Sequence, residues 1–403
     1  MDSTRRDSFC ALGLLAALRR SPILSGLSAS ASAVAGDAAR RRLIEVGPDR
    51  RVRTLAEAAR VAADGDIVEV APGDYRGDVA VWAQRDLIVR GAGRGATLIA
   101  DGASAEGKAI FVMRGDRARV ENLAFRGASV RDRNGAGIRL EKGRLEIVAC
   151  RFEGNESGVL TNNDDGIELT IDRCSFVENG AGDGQSHNLY AGAIGRLTVT
   201  ASYFARARVG HLLKSRAGEN RIAWCRFSGE DSTGSYEIEF PNGGIAEIIG
   251  CLIQQGRRSQ NPTMIAFGAE GYRRPGNELR ITFSTIVNER PPGGVFVRVL
   301  PGPVRVEALD NLLVGRGNLD VRADAVLVRN AVGRHKDFAD PKRMDFRLKR
   351  SSSLVGAAGI VGQLGPDRSY PEKEYVHPAD SRPLPALSAL PPLSPGAFQR
   401  LAE

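Results

Sequence analysis

Aromatic residues make up only 6% of this 403-residue sequence. So few large rings, set against 47 glycines, weigh against a bundle of long helices and favour many short strands joined by tight turns. Dense runs of lysine and arginine interleaved with aromatics are also missing. That leaves nucleic acid as the weakest of the partners invited by a net charge of +8, and an acidic polysaccharide or anionic lipid suits the charge better. No apolar run is long enough to cross a bilayer, the nearest being Phe9–Leu18, so no membrane span is expected. Histidines number four and cysteines five, and His335 and His377 stand far from the other two.

The beginning reads as an export signal over residues 1–35. Arg5 and Arg6 precede the short apolar run, and Ala33-Val34-Ala35 fits a small-residue cleavage site. The paired arginines resemble a twin-arginine signal, although Ser8 and Arg19-Arg20 depart from that pattern. A periplasmic or secreted protein is expected, the alternative being a disordered N-terminal arm.

Residues 36–65 should hold a first strand, Arg41–Val46, and a short helix. Leu55, Ala58, Ala59 and Ala62 recur at helical spacing, and Thr54 with Glu57 makes a capping box. From residue 66 a repeat begins. Nine segments, from Val120–Phe125 to Ala325–Val332, end in a small or thiol residue, any residue, then a large apolar one. The anchors are Phe125, Phe152, Phe176, Phe204, Phe227, Ile253, Ile286, Leu313 and Val332. They stand 27, 24, 28, 23, 26, 33, 27 and 19 residues apart, the spacing of solenoid coils. Each segment alternates apolar and polar, so each is a strand with one face inward. Stacking such coils at about 4.8 Å makes a continuous core that no coil has alone. Cys150, Cys174, Cys225 and Cys251, with Ser202 and Ser284, share one register and form an inward column. A line of separated thiols does not converge four ligands on one point, so packing thiols are expected and no metal site.

The stretch TLAEAARVAADGDIVEVAPGDY at 54–75 resembles the opening of secreted right-handed parallel β-helix proteins of the pectate-lyase-like superfamily, in which a short helix caps the first coil. The fold expected is therefore all-β: a single-stranded right-handed parallel β-helix over 66–356 with a short N-terminal capping helix. Residues 357–403, rich in proline, should form an extended tail lying on the helix surface, or a disordered one.

The candidate site is His211–Ala217, where Lys214 and Arg216 share one face of a strand about 7 Å apart. Aligning strands puts Leu160, Leu189, Leu213 and Ile238 inward and Thr161, Tyr190, Lys214 and Glu239 in one outward column. Asn163, Gly192, Arg216 and Pro241 follow in the next, with Asp165 close by and Asn188 and Glu237 outward on the other side. A salt-bridged surface ladder is the competing explanation. Parity turns His187 and His211 inward, unless a bend before each strand turns them out.

HLLKSRAGENRIAWCRF at 211–227 is similar to the Lys-Ser coil of chondroitinase-B-like and alginate lyases, whose lysine is the base, and Lys214 matches it. The arginine of that family's following coil is replaced here by Phe240 and Pro241. Its calcium-binding acids have no match in Ala205–Gly210, so no cofactor is expected and calcium lacks a matched site. The resemblance implies an acidic polysaccharide as partner and β-elimination as reaction. Arg216 would neutralise the uronate carboxylate and Lys214 would take the adjacent proton, with Tyr190, His211 or His187 serving the leaving oxygen. Glu239 would work against a neutral Lys214, while Asn188, Glu237, Asn163 and Asp165 would bind substrate. Glu237 and Glu239, about 7 Å apart on one face, keep an inverting hydrolase open. A C5-epimerase and a non-catalytic glycan-binding solenoid also remain, and a monomer is expected.

Overall fold

A computed structural model describes residues 41–359, 370–385 and 392–402. The export signal read in residues 1–35 lies outside them. Three parallel sheets, of 12, 11 and 10 strands, run the length of the described chain. Sheet I begins at Leu43–Val46 and ends at Asp324–Val328. Sheet II runs from Gly73–Arg76 to Ala331–Gly333, and sheet III from Ala80–Trp82 to Gly317–Val321. Each coil gives one strand to each sheet, and each strand pairs in parallel with its counterpart one coil on. This is the expected parallel β-helix.

The repeat anchors are sheet II. Phe125 pairs with Phe152, Phe152 with Phe176, and so on without a slip to Leu313 and Val332. Two earlier coils, through Tyr75 and Leu98, extend the row below Phe125. The five phenylalanines stack face to face, with centroids 4.6 to 5.1 Å apart. Each ring is fully buried, which contributes about 2–3 kcal/mol, and each stacked pair adds roughly 0.5–1.5 kcal/mol. The stack leaves no room on the opposite wall: a Cβ at Gly158 would lie 2.7 Å from the Phe176 ring.

From the coil of Asn122 onward the chain turns between sheets I and II on a single left-handed residue, among them Asn122 (φ 52°), Ala149 (φ 51°), Trp224 (φ 52°) and Phe283 (φ 47°). The next residue begins the expected inward column. Cys150, Cys174, Ser202, Cys225, Cys251 and Ser284 are all fully buried, and the four cysteines are free. The column also bonds along the axis. Ser202 Oγ accepts the Cys174 N–H at 3.0 Å, and Ser284 Oγ accepts that of Cys251 at 3.2 Å. A hydroxyl or thiol there satisfies a backbone donor that the corner leaves without a strand partner.

The helix, α1, spans Leu55–Val61 and buries Leu55 and Ala58 against the first coil. Thr54 Oγ1 caps it by accepting the Glu57 N–H, while Glu57 reaches the Arg53 N–H and Asp78 accepts those of Leu55 and Ala56. Regular coils end at Gly333, and an antiparallel pair, Phe338–Asp340 with Asp345–Leu348, follows. Where it is described, the C-terminal segment lies on the solenoid, the first of the two expected arrangements. Lys373–Val376 and Asp380–Pro383 form a hairpin, and the Ala397 N–H bonds Thr285 Oγ1 on sheet II. Tyr375, Leu393 and Ala397 are buried, apolar area that composition alone does not reveal.

Candidate functional site

Register along the outer face of sheet III fixes one continuous column: Val112, Arg139, Leu160, Tyr190, Lys214, Glu239 and Ala266. Tyr190, Lys214 and Glu239 are therefore neighbours, as expected. One coil differs. Leu160, expected inward, pairs with Tyr190 on the outside, where it joins a small apolar cluster with Val112 and Ala136. Thr161, expected outward, turns to the other side of that strand and is buried, and its Oγ1 accepts the Gly192 N–H at 2.8 Å.

Lys214 and Arg216 converge, and what they converge on is a carboxylate that sequence reasoning missed. Glu270 takes Arg216 in a two-point clasp, with Nη1 to Oε2 at 2.7 Å and Nη2 to Oε1 at 2.9 Å, and Lys214 Nζ lies 3.1 Å from the same Oε1. Arg216 is held from behind by neutral groups. Its Nε donates to Tyr190 Oη at 3.0 Å, and its Nη1 donates to Asn242 Oδ1. Both cations also sit about 6 Å from the Tyr190 ring centroid. The Lys214 and Arg216 side chains are only 12% and 18% exposed, so neither is an ordinary surface charge. The clasp by Arg216 holds the Glu270 carboxyl down at about 2, against partial burial.

Glu239 forms the other flank. Its Oε2 lies 3.0 Å from Lys214 Nζ and 3.1 Å from His211 Nε2. Burial pushes the Glu239 carboxyl up, but His211 and Lys214 outweigh it and the carboxyl stays below its ordinary value. His211 is buried, stacks on His187 at 4.4 Å and donates its backbone N–H to His187 Nδ1 at 3.0 Å. Burial holds both imidazoles below their usual range, His187 the more strongly. The inward placement given by parity is corrected: the chain bends before each strand, and His211 meets the outer column through Glu239.

The same bend corrects Asn188 and Glu237. Both precede their strands, which start at Leu189 and Ile238, and both are buried in the interior. Asn188 closes an asparagine ladder: its Oδ1 accepts the Asn179 N–H at 3.1 Å and Asn179 Nδ2 at 2.8 Å, and its Nδ2 donates to Ala205 O. Glu237 Oε2 accepts Gln255 Nε2 at 3.2 Å, and burial drives its carboxyl well above the usual range. The two glutamates share no face, which removes them as an inverting pair.

A cleft of about 580 Å³ opens beside Arg216, lined by Asn163, Asp165, Tyr190, Asn242, Glu270 and Arg274 among others. Asn163 Oδ1 accepts the Ala193 N–H at 2.8 Å, while Asp165 sits on the rim and pairs with Arg274. Arg274 pins the loop, donating to the carbonyls of Ile194 and Arg216 at 3.0 and 2.6 Å. A smaller hollow of about 290 Å³ shares Asn163 and Tyr190 with the cleft and reaches Arg139. Glu270, Arg273 and Arg274 come from residues 268–277, inside the coil whose anchors stand 33 residues apart. That longest step was the signal available to find them. Among the described residues no group of three or more histidine, cysteine or acidic side chains is placed to hold a metal ion. None of the described helices is long and apolar enough to cross a membrane.

Comparison with known proteins agrees on the fold. No family model and no curated protein sequence matches. Among solved structures, the chain superposes on pectate lyase Pel9A with a TM-score of 0.62, covering 89% of this chain and 96% of that one at 12% identity. An alginate lyase from Paenibacillus sp. str. FPU-7 gives a TM-score of 0.49 at 15% identity, over 72% of this chain and 99% of that one. At 12% identity the likeness to Pel9A is one of fold.

Proposed function

We propose that the sheet III cleft binds an acidic polysaccharide and cleaves it by β-elimination. One observation carries the reading: Arg216 and Lys214, both largely withdrawn from solvent, already hold a carboxylate between them. A uronate carboxylate in that place would be neutralised by the Arg216 fork, which acidifies the neighbouring C5 proton. Lys214 then takes that proton, the C4–C5 double bond forms, and the C4–oxygen bond breaks. The leaving oxygen receives a proton from Tyr190 Oη, itself oriented by Arg216 Nε. His211 positions Glu239 rather than touching the sugar. As a base Lys214 must shed its proton, and removing Glu270 leaves it one carboxylate partner.

Pel9A is named a pectate lyase, so pectate is the first polymer to assay, followed by alginate and glycosaminoglycans. The expected result is an unsaturated product absorbing in the near ultraviolet, lost in Lys214→Ala with the fold intact. Turnover by a folded Lys214→Ala protein removes Lys214 from the mechanism. The second reading is a non-catalytic glycan binder, favoured by the pairing of Lys214 with two carboxylates, since an ammonium so held grips anions without abstracting protons. Affinity for a uronan without new absorbance decides for it. Inversion at C5 without cleavage decides for an epimerase.

A further inference from the structure

Glu270 stands apart from the rest of the cluster. Among the described residues it is the one acid paired with both cations, it comes from a loop and not from a coil strand, and its side chain is 39% exposed. Tyr190 and Asn242 already orient the guanidinium through Nε and Nη1. Glu270 is not needed to aim Arg216; it occupies the outward fork.

The loop that carries it is firmly seated. The Glu270 N–H bonds Pro241 O at 2.8 Å and the Arg273 N–H bonds Asn242 O at 3.0 Å. Tyr272 Oη donates to Leu300 O at 2.6 Å, and its ring lies where a Cβ at Gly268 (φ 78°) would be, 2.6 Å away. With the backbone tied at both flanks, the movable part is the Glu270 side chain, whose rotamers open onto the cleft.

We propose that Glu270 is an internal stand-in for the ligand's carboxylate, and that a uronate enters by displacing it from Arg216 and Lys214. The inference rests on the cleft being a carboxylate site. In this arrangement Glu270 sets specificity. A neutral sugar cannot replace the two-point clasp and leaves Glu270 in place, whereas a carboxylate exchanges like for like at little electrostatic cost. Glu270 also lowers the affinity for every acidic ligand, because each must compete with a tethered rival at high effective concentration.

The test is calorimetric titration of the full chain with hexamers of galacturonate, mannuronate and a glucuronate-containing glycosaminoglycan, and with a neutral methyl-esterified galacturonate hexamer. Glu270→Gln keeps the size of the side chain and loses the charge; Glu270→Ala removes the group, and thermal melts establish that both are folded. Both variants should bind the preferred acidic hexamer on the order of tenfold tighter than wild type, a factor scaled down for a partly exposed pair. Adding Arg216→Gln should abolish the gain, and Glu270→Gln should narrow the preference for the acidic over the esterified hexamer. Equal or weaker binding by both Glu270 variants, where wild type binds, overturns the stand-in role and leaves the carboxylate site standing. Failure of wild type and variants alike to bind any acidic hexamer overturns both.

Discussion

Replacing Asn188 by alanine separates scaffold from site. Asn188 is fully buried, and its partners are Asn179 and Ala205, neither of which lines the cleft. The substitution removes the acceptor of the Asn179 N–H and of one Asn179 Nδ2 hydrogen, and a donor to Ala205 O. Ala205 O keeps the Glu178 N–H, and Asn179 Nδ2 keeps Phe152 O. One backbone donor and half an amide are thus orphaned in the interior. At about 1–3 kcal/mol per buried orphan, with partial relaxation, the loss should come to about 3 kcal/mol. In urea titrations followed by circular dichroism the midpoint should fall by up to ~1 M with the slope unchanged. Asn155→Ala, two rungs along the same ladder, should behave alike. Ligand affinity per folded molecule should not move. A stable Asn188→Ala protein that loses acidic-oligosaccharide binding would falsify the ladder assignment and return Asn188 to the site.

Three further outcomes follow from the same geometry. Burial raises the Glu237 carboxyl, so it stays protonated in the fold while the unfolded chain ionises at the ordinary value, and stability falls as pH rises above that value. Glu237→Gln should match wild type near pH 4 and exceed it by at least ~1 kcal/mol near pH 8 in denaturant titrations; a less stable variant at pH 8 refutes the sign. Cys150, Cys174, Cys225 and Cys251 are fully buried, so these four should resist iodoacetamide in the native protein and react once it is unfolded, read by mass spectrometry; burial also pushes the Cys174 and Cys225 thiols up. Arg139 lies three coil spacings, ~14 Å, from Lys214, in the hollow joined to the cleft. Its side-chain partner is the neutral Asn162, at 2.7 and 3.1 Å, so Arg139→Gln should weaken binding of long acidic oligomers severalfold and leave dimers unaffected.

The solenoid was legible because stacking forces repetition: each coil must offer the same inward column, so nine anchors spell out sheet II. The corners were not legible. Their left-handed residues include Ala149, Arg173, Trp224 and Phe283, which carry no turn signature, because neighbouring coils impose the conformation. For the same reason alternation failed at Asn188, Glu237 and the two histidines. They sit at the bend before a strand, where strand parity does not apply. Lys214, Arg216, Tyr190 and Glu239 lie within or just after regular strands, and there register could be read. Glu270 reaches them from 54 residues along the chain, across two coils, a distance no local pattern spans.

Two pairs on the outer face of sheet I show what an exposed charge ladder looks like in this chain. Arg144 and Glu168, and Arg196 and Glu219, are direct cross-strand partners, and all four side chains are well exposed. Such pairs cost little desolvation and contribute about 0–1 kcal/mol each. Sheet III departs from that pattern in the middle coils. Two cations and one acid, Lys214, Arg216 and Glu239, are drawn below the surface together with Tyr190, His211 and Asn242, and Glu270 stays partly exposed at the mouth. Desolvating the three buried charges costs several kcal/mol per ion before their attraction offsets it, and apolar side chains in the same places would serve stability as well. Elsewhere the same column carries the apolar Val112, Leu160 and Ala266, with Arg139 between the first two. Charge drawn half below the surface in that stretch is what the proposed carboxylate site requires, and the Glu270 carboxylate gripped there occupies the place the proposal gives to a uronate.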